Sequence, residues 1–339
     1  MVQVVQVPHL HHLRRYNRRM TPRSICVLGG TGFVGTHLCA SLTRAGHEVT
    51  VLTRNAARAR HLWVLPRLKL VQVDPHDAGA LAGSFRGHDA VINLVGILNE
   101  SGRSGAGFRR AHTELTKKVV AACRATHVNR LLHMSGLNAA EHGPSHYLQS
   151  KGEAERSIRE ESHADLSWTI FQPSVIFGSG DSFTSRFAAL LGDLPLALPL
   201  ARADARIAPV WIEDVVAAMM KALADEAGTA GETFQLCGPR VYTLREIVCY
   251  VRDLLGLRRV VIGLPDVVAR LQAAVMDFVP GKPFSTDNYR SLSQDSVCSL
   301  NGFARLGLKA TPMEAILPQY LGKAEENARL DRYRRNARR

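Results

Sequence analysis

No stretch of this chain reaches the roughly 18 consecutive apolar residues of a membrane-spanning helix, and no secretory core follows Met1. A transmembrane or secreted protein is therefore not expected; a cytoplasmic one is, either free or peripheral at the inner membrane. The six cysteines (26, 39, 123, 237, 249 and 298) contain no C-x-x-C pair and no metal-like cluster with histidine, which excludes the usual signatures of a redox dithiol or a zinc site. No metal is expected, and the mostly apolar surroundings of these cysteines predict buried, reduced thiols. Lysine is scarce, so that 35 of the 43 bases are arginine. Acid is absent altogether before Glu48. Internal repeats and low-complexity tracts are missing too, which leaves solenoids and fibres out.

What is present is an ordinary globular composition, 46% hydrophobic and 22% charged over 339 residues, enough for one large domain or two smaller ones. The net charge of +13 is concentrated at the ends. Residues 1–19 carry Arg14, Arg15, Arg18 and Arg19 with no acid, and residues 323–339 carry seven bases against three acids. With the tails set aside the chain is only modestly basic, so nucleic-acid binding is not expected; an anionic membrane surface is a partner the tails would suit. Residues 1–22 read as a disordered extension or a misassigned start, with Met20 favoured as initiator over a matrix-targeting peptide. Residues 323–339 read as a disordered basic tail.

The stretch that organises the rest is Ser24 to Gly35, SICVLGGTGFVG. Ile25 to Leu28 suit a buried strand, the glycines force a tight turn, and Phe33 opens an amphipathic run ending at Gly46. Gly30, Gly32 and Gly35 satisfy G-x-G-x-x-G, where the first residue permits the turn, the second lets the backbone approach a pyrophosphate, and the third lets helix pack on strand. Such an anion sits on unpaired helix N–H groups. A second strand, Glu48 to Leu52, is followed by Arg54, Arg58 and Arg60 where a site selecting NAD(H) would carry an acid. Guanidinium suits a 2′-phosphate, so NADP(H) is favoured over NAD(H).

Strands around Leu68 to Val73 and Ala90 to Val95, each followed by helical sequence, predict a parallel doubly wound sheet with Asp74 and Asn93 at the carboxyl ends where such sheets bind ligands. The glycine-rich Asn99 to Gly107 loop predicts a flexible lid. A long helix, Phe108 to Thr126, leads to strand five, Arg130 to Met134, which ends in Ser135-Gly136-Leu137. Tyr147 and Lys151 then lie four apart on a helix and share a face, an arrangement in which the cation lowers the phenol's pKa for general acid/base work. Further on, Phe183 to Leu200 suggests an apolar pocket wall or a packing segment. Glu213 and Asp214 read as helix caps, and Thr243-x-x-Glu246 and Thr311-x-x-Glu314 as capping boxes. Leu264 to Val279 is apolar enough to lie against a bilayer or a partner, or to be a buried helix of the smaller part.

Taken together, Gly29-Gly30-Thr31-Gly32-Phe33-Val34-Gly35, Asp74, the run Val91 to Gly96, Tyr147 with Lys151, and Phe171 to Gly178 resemble the short-chain dehydrogenase/reductase superfamily in its extended or atypical branch. INLVGIL, RLLHMSGL, SKGEAE and PSVIFGSGD look most like the group around alpha-subcomplex subunit 9 of mitochondrial complex I and its bacterial relatives. The resemblance implies that Gly29, Gly32 and Gly35 face the pyrophosphate, Arg54 the 2′-phosphate, Asp74 the adenine, Asn93 a ribose, Tyr147 and Lys151 the nicotinamide ribose, and Pro173 the nicotinamide edge. Active members place a Ser or Thr just after the strand-five serine; here Gly136 and Leu137 stand there and only Ser135 offers a hydroxyl.

The fold expected is therefore α/β: a Rossmann-type doubly wound parallel sheet over residues 23–178, with 205–237 returning to it, and a smaller substrate- or partner-facing part from 179–204 and 238–322. The function expected is an NADP(H)-loaded structural or assembly protein associated with a respiratory complex or quinone, with weak or no turnover. The alternative is an active reductase, dehydrogenase or epimerase using Tyr147, Lys151 and Ser135. No motif names a small-molecule substrate.

Overall fold

A computed structural model describes residues 21–162, 164–279, 282 and 284–321; the expectations about the start site and both tails lie outside the described residues. The first half alternates strand and helix: β1 (Ser24–Leu28), α1 (Phe33–Arg44), β2 (Glu48–Thr53), β3 (Leu68–Gln72), α2 (Ala78–Phe85) and β4 (Ala90–Asn93). A short helical turn at Ala106–Phe108 and a π-helical turn at Arg109–Glu114 run into α3 (Leu115–Thr126), followed by β5 (Arg130–Met134), α4 (His146–Glu161) and β6 (Ser167–Pro173). The second half adds β7 (Ile176–Phe177), α5 (Thr184–Asp193), β8 (Ala197–Leu200), β9 (Arg206–Ile207), β10 (Val210–Trp211), α6 (Ile212–Ala224) and β11 (Glu232–Leu236). It continues with β12 (Tyr242–Thr243), α7 (Leu244–Leu254), β13 (Val260–Gly263), α8 (Asp266–Met276), α9 (Thr286–Ser291) and α10 (Gly302–Arg305). Residues 313–321 are helical as well.

Seven strands form one sheet in the order β11-β6-β5-β4-β1-β2-β3, and every pairing in it is parallel. The chain turns from one half of the sheet to the other between β1 and β4, the switch point at which doubly wound sheets bind ligands. β1 is apolar along nearly its whole length because both of its faces are covered. Ile25 and Val27 pack with Leu38, Val215 and Met219 on one face. Cys26 and Leu28 pack with Leu81, Val119 and Ile170 on the other.

A separate core gathers Leu191, Leu198, Leu200, Leu244, Ile247 and Leu317, with Phe183 and Phe187 at its edge, so the apolar Phe183 to Leu200 stretch builds this smaller core. Phe303 and Leu306 pack instead on the α1 and α6 side of the main sheet. The smaller part therefore does not own all of residues 238–322.

Three sequence readings need correction. Cys26, Cys39 and Cys123 are buried free thiols, and burial pushes Cys39 and Cys123 up to about 12, but Cys237 and Cys298 form a disulfide. The 61-residue separation hid it; the segment around 296–301 runs beside the end of β11, where Gln235 bridges Asn301 and Ser174 binds Ser296. Glu213 and Asp214 do not cap their own helix. Glu213 reaches His37 on α1 at 2.6 Å, and Asp214 accepts from the Thr311 N–H and hydroxyl at 2.6 and 3.1 Å. Thr311 is thereby drawn away from a capping box, and Glu314 binds Arg240 and Tyr242 instead. The Thr243–Glu246 box is formed in both directions.

Candidate functional site

The glycine turn closes with the Gly32 N–H on the Gly29 carbonyl at 3.0 Å. Gly29, at φ 76°, is the residue that makes the turn, and a Cβ there would lie 2.9 Å from the Leu94 backbone at the end of β4. The first glycine of the motif is thus Gly29, whereas Gly30 is buried and faces the Val51 side chain. A Cβ on Gly35 would stand 2.3 Å from the Gly29 carbonyl oxygen, so only glycine allows α1 to start this close to the strand. The first bond inside α1 runs from Thr36 N–H to the Gly32 carbonyl. The N–H groups of Phe33, Val34 and Gly35 therefore have no acceptor within the helix. With Gly32 exposed and Thr31, Phe33 and Val34 part-exposed around them, the cradle fits a pyrophosphate.

At the end of β2, Arg54, Arg58 and Arg60 are exposed, and the Asn55 carboxamide accepts from the Arg58 N–H. Glu48 stands at the far end of the strand, so no acid of β2 competes for this corner. Asp74 is exposed just past β3 in a turn, accepting from the His76 N–H. Asn93, at the end of β4, is 1% exposed, and its amide is engaged by Thr116, His133 and the Val95 N–H. Pro173 is buried at the end of β6, its carbonyl accepting from Leu137 N–H.

Tyr147 and Lys151 share a face of α4 beside the switch point. The Lys151 ammonium donates to the Met134 carbonyl at 2.9 Å and lies beside Gly96, just after β4. Burial pulls its pKa down to about 8, against the opposing pull of Glu155. The half-buried Tyr147 ring packs edge-on to Phe108 and His112. Its phenol is not lowered as the sequence suggested; burial pushes it up to about 12. A Cβ on Gly136 would lie 3.0 Å from the Tyr147 Oη, so the position facing the phenol is the one without a side chain. Ser135, one residue earlier, is 4% exposed and its hydroxyl has no hydrogen-bond partner among the described residues.

Two contributors had no legible signal. His112 sits in the π-helical turn, and such turns often mark functional sites. It accepts from Ile97 N–H and contacts Ser150 through Nδ1, and burial, then the nearby Lys151 and His133, holds its pKa down at about 2. Asp287, 140 residues from Tyr147, accepts from the His146 and Tyr147 N–H groups at the start of α4.

The Asn99 to Gly107 loop is also unlike its composition. Glu100, 8% exposed, accepts from Gly105 and Gly107 N–H. Lys282 reaches the Gly102 carbonyl, Asn99 the Lys282 carbonyl and Asn288 the Leu98 carbonyl. The loop is clasped to the smaller part rather than loose. Between them lies a cleft of about 110 Å³ lined by Phe108, His146, Asp287 and Arg290.

Residues 29–191 match the family model described as NAD(P)H-binding. With the parallel sheet and the glycine cradle, this match gives the chain an NAD(P)-binding domain of Rossmann type. More particularly, it is 28% identical over 303 residues to NADH dehydrogenase (ubiquinone) 1 alpha subcomplex subunit 9, mitochondrial, of Arabidopsis thaliana, covering 84% of this chain and 73% of that one. It is 27% identical over 253 residues to the ceramide reductase of Caulobacter vibrioides, covering 75% and 77%. A crystal structure of a DesIV double mutant, a dTDP-glucose 4,6-dehydratase from Streptomyces venezuelae with NAD and DAU bound, superposes with a TM-score of 0.68 at 22% identity over 88% of this chain and 95% of that one. That last likeness concerns the fold.

Proposed function

We propose that the chain binds NADP(H) as a resident nucleotide that stabilises the fold for association with a respiratory-type complex in the cytoplasm, and that it turns over weakly or not at all. One observation carries this reading: Gly136, the residue whose Cβ would stand 3.0 Å from the Tyr147 Oη, offers no hydroxyl to share charge on a carbonyl oxygen. Losing one such donor costs a factor of roughly 10² to 10³ in rate. The relatedness to complex I subunit 9 supports a partner, and bound nucleotide stabilises by mass action without chemistry.

The N–H groups of Phe33, Val34 and Gly35 would hold the pyrophosphate, Arg54 the 2′-phosphate, and Lys151 and Tyr147 the nicotinamide ribose. When bound, the nicotinamide supplies hydride chemistry. On the protein side, Tyr147 keeps its proton at neutral pH and offers it as a hydrogen-bond donor, while His112 stays neutral and packs edge-on to its ring. The second reading, an active reductase, is favoured by the unpartnered Ser135 hydroxyl beside Gly136 and by the ceramide reductase relative.

The test is to identify the nucleotide that co-purifies, by absorbance and mass, and then to assay a carbonyl panel at saturating NADPH. NADP(H) with marginal turnover that Tyr147→Phe leaves unchanged is expected. Robust turnover abolished by Tyr147→Phe would overturn the structural reading, with Ser135 as the second donor.

A further inference from the structure

Helix α8 and the turn after it have two unlike faces. One is packed, with Ala269 and Ala273 closing on Ala201 and Tyr289. The other is bare: Val267, Val268, Leu271, Val275, Phe278 and Val279 are 79, 46, 64, 55, 75 and 38% exposed. At helical spacing these six fall within an arc of about 120°. The charged residues of the segment lie outside it. Asp266 and Arg270 pair with each other and contact Tyr289, and Asp277 is turned inward onto Thr286.

The apolar face does not stop at the helix. Gln272 reaches the carbonyl of Pro199, whose partner in the β8–β13 ribbon is Ile262. Ile262 and Val260 on that ribbon are 49 and 58% exposed, and Leu196 at its end is 79% exposed. Around this surface stand cations. Arg103 lies 5.1 Å over the Phe278 ring and 3.8 Å from the buried Asp277 carboxylate with its side chain 60% exposed, Arg270 is 69% exposed, and Arg258 is exposed beside β13. Asp204, an exposed acid nearby, is faced by Arg245 at 4.0 Å.

A protein interface carries roughly one hydrogen bond per 100–200 Å², yet no side chain of the bare arc can donate or accept one. An apolar stripe rimmed by arginine matches an interfacial helix on anionic lipid. Among the described residues no helix is long and apolar enough to cross a membrane, so the segment would lie flat. We propose that this face docks the protein on an anionic bilayer surface, with Leu271 and Phe278 among the acyl chains and Arg103, Arg258 and Arg270 at the headgroup phosphates. The proposal is independent of the nucleotide and of any turnover.

Flotation of the full chain with vesicles of phosphatidylglycerol and phosphatidylcholine in equal parts, and of phosphatidylcholine alone, tests it. Wild type should float with the anionic vesicles. Leu271→Glu combined with Phe278→Glu should weaken partition by about tenfold or more, with melting temperature and NADPH titration unchanged. Equal flotation of the double variant would assign binding to the basic ends and overturn the proposal, as would no flotation of wild type. Loss of a concentration-dependent dimer in the double variant, without vesicle binding by wild type, would assign the face to a second copy. Should the double variant fail to fold, Phe278→Trp gives an independent reading: its emission should shift to the blue on anionic vesicles, and an unshifted spectrum overturns the idea.

Discussion

Lys151 sits where the charge of the site is decided. It is 4% exposed, bonded to the Met134 carbonyl, and titrates at about 8 rather than 10.5 because burial disfavours the ammonium. At pH 7 it is still charged by about ten to one. NADPH affinity should therefore weaken as pH rises through about 8, and Lys151→Ala should cost about tenfold in Kd, or about 1.4 kcal/mol, and flatten that profile; isothermal titration across pH 6.5 to 9.5 reads both. For stability the sign is the reverse. Between pH 8 and 10.5 the unfolded chain holds more protons at this residue than the folded one, so its contribution to stability rises with pH. Arg54 belongs to the same scale. If its exposed guanidinium holds a 2′-phosphate, Arg54→Ala should lose a charge-assisted contact of about 1.5–3 kcal/mol for NADPH and leave NADH titrations unmoved; equal losses for both nucleotides would refute that assignment. Tyr147 and Lys151 were legible because residues four apart on a helix must share a face. Asn93 was legible only as a strand end, since nothing local foretold that Thr116 and His133 would engage its amide.

Helix α4 shows how elements are tied across the chain. Ser145 caps its start by accepting from the Leu148 N–H, and Asp287 takes the His146 and Tyr147 N–H groups at 2.7 and 3.1 Å. Asp287→Ala should leave two N-terminal donors unsatisfied, lowering stability by about 1–2 kcal/mol. It should also release α9 from α4 and speed amide exchange in residues 98–107; unchanged exchange there would show that Lys282 and Asn288 hold the clasp alone. The sequence legibly marked the strands and helices of the first half, because a buried parallel strand and an amphipathic helix each impose a local pattern. It did not mark the clasp. Glu100 looks like any loop acid until Gly105 and Gly107 turn their N–H groups toward it. The Cys237–Cys298 bridge and the Asp214–Thr311 tether were hidden for the same reason, since each joins residues whose own neighbourhoods carry no trace of the other.

Across the whole molecule the sheet is sealed on both faces, and the polar groups caught inside set its response to acid. Arg130, 1% exposed, anchors the start of β5 to the Ser167 and Ala222 carbonyls and the Thr229 hydroxyl. Burial lowers its pKa only to about 10, so it stays charged through the neutral range. Histidine behaves otherwise. His47, His112 and His133 are 0, 1 and 1% exposed, and burial holds each below its ordinary value of 6.5. His47 accepts from Arg23 N–H and His112 from Ile97 N–H, bonds that require a neutral ring nitrogen. As pH falls through 6.5 the unfolded chain takes up protons that the folded chain refuses, so stability present above 6.5 is lost below it. His112, held down at about 2, removes about 2 kcal/mol by pH 5, and His47 and His133 add losses of the same sign. Urea unfolding at pH 7.5, 6.5, 5.5 and 5 should show the midpoint dropping steeply below 6.5, before ordinary carboxylates titrate. His112→Gln should lower stability at pH 7.5 yet make the decline shallower. A flat profile between pH 6.5 and 5 would mean that these histidines gain their protons in the folded state, and that the core around the site opens to water.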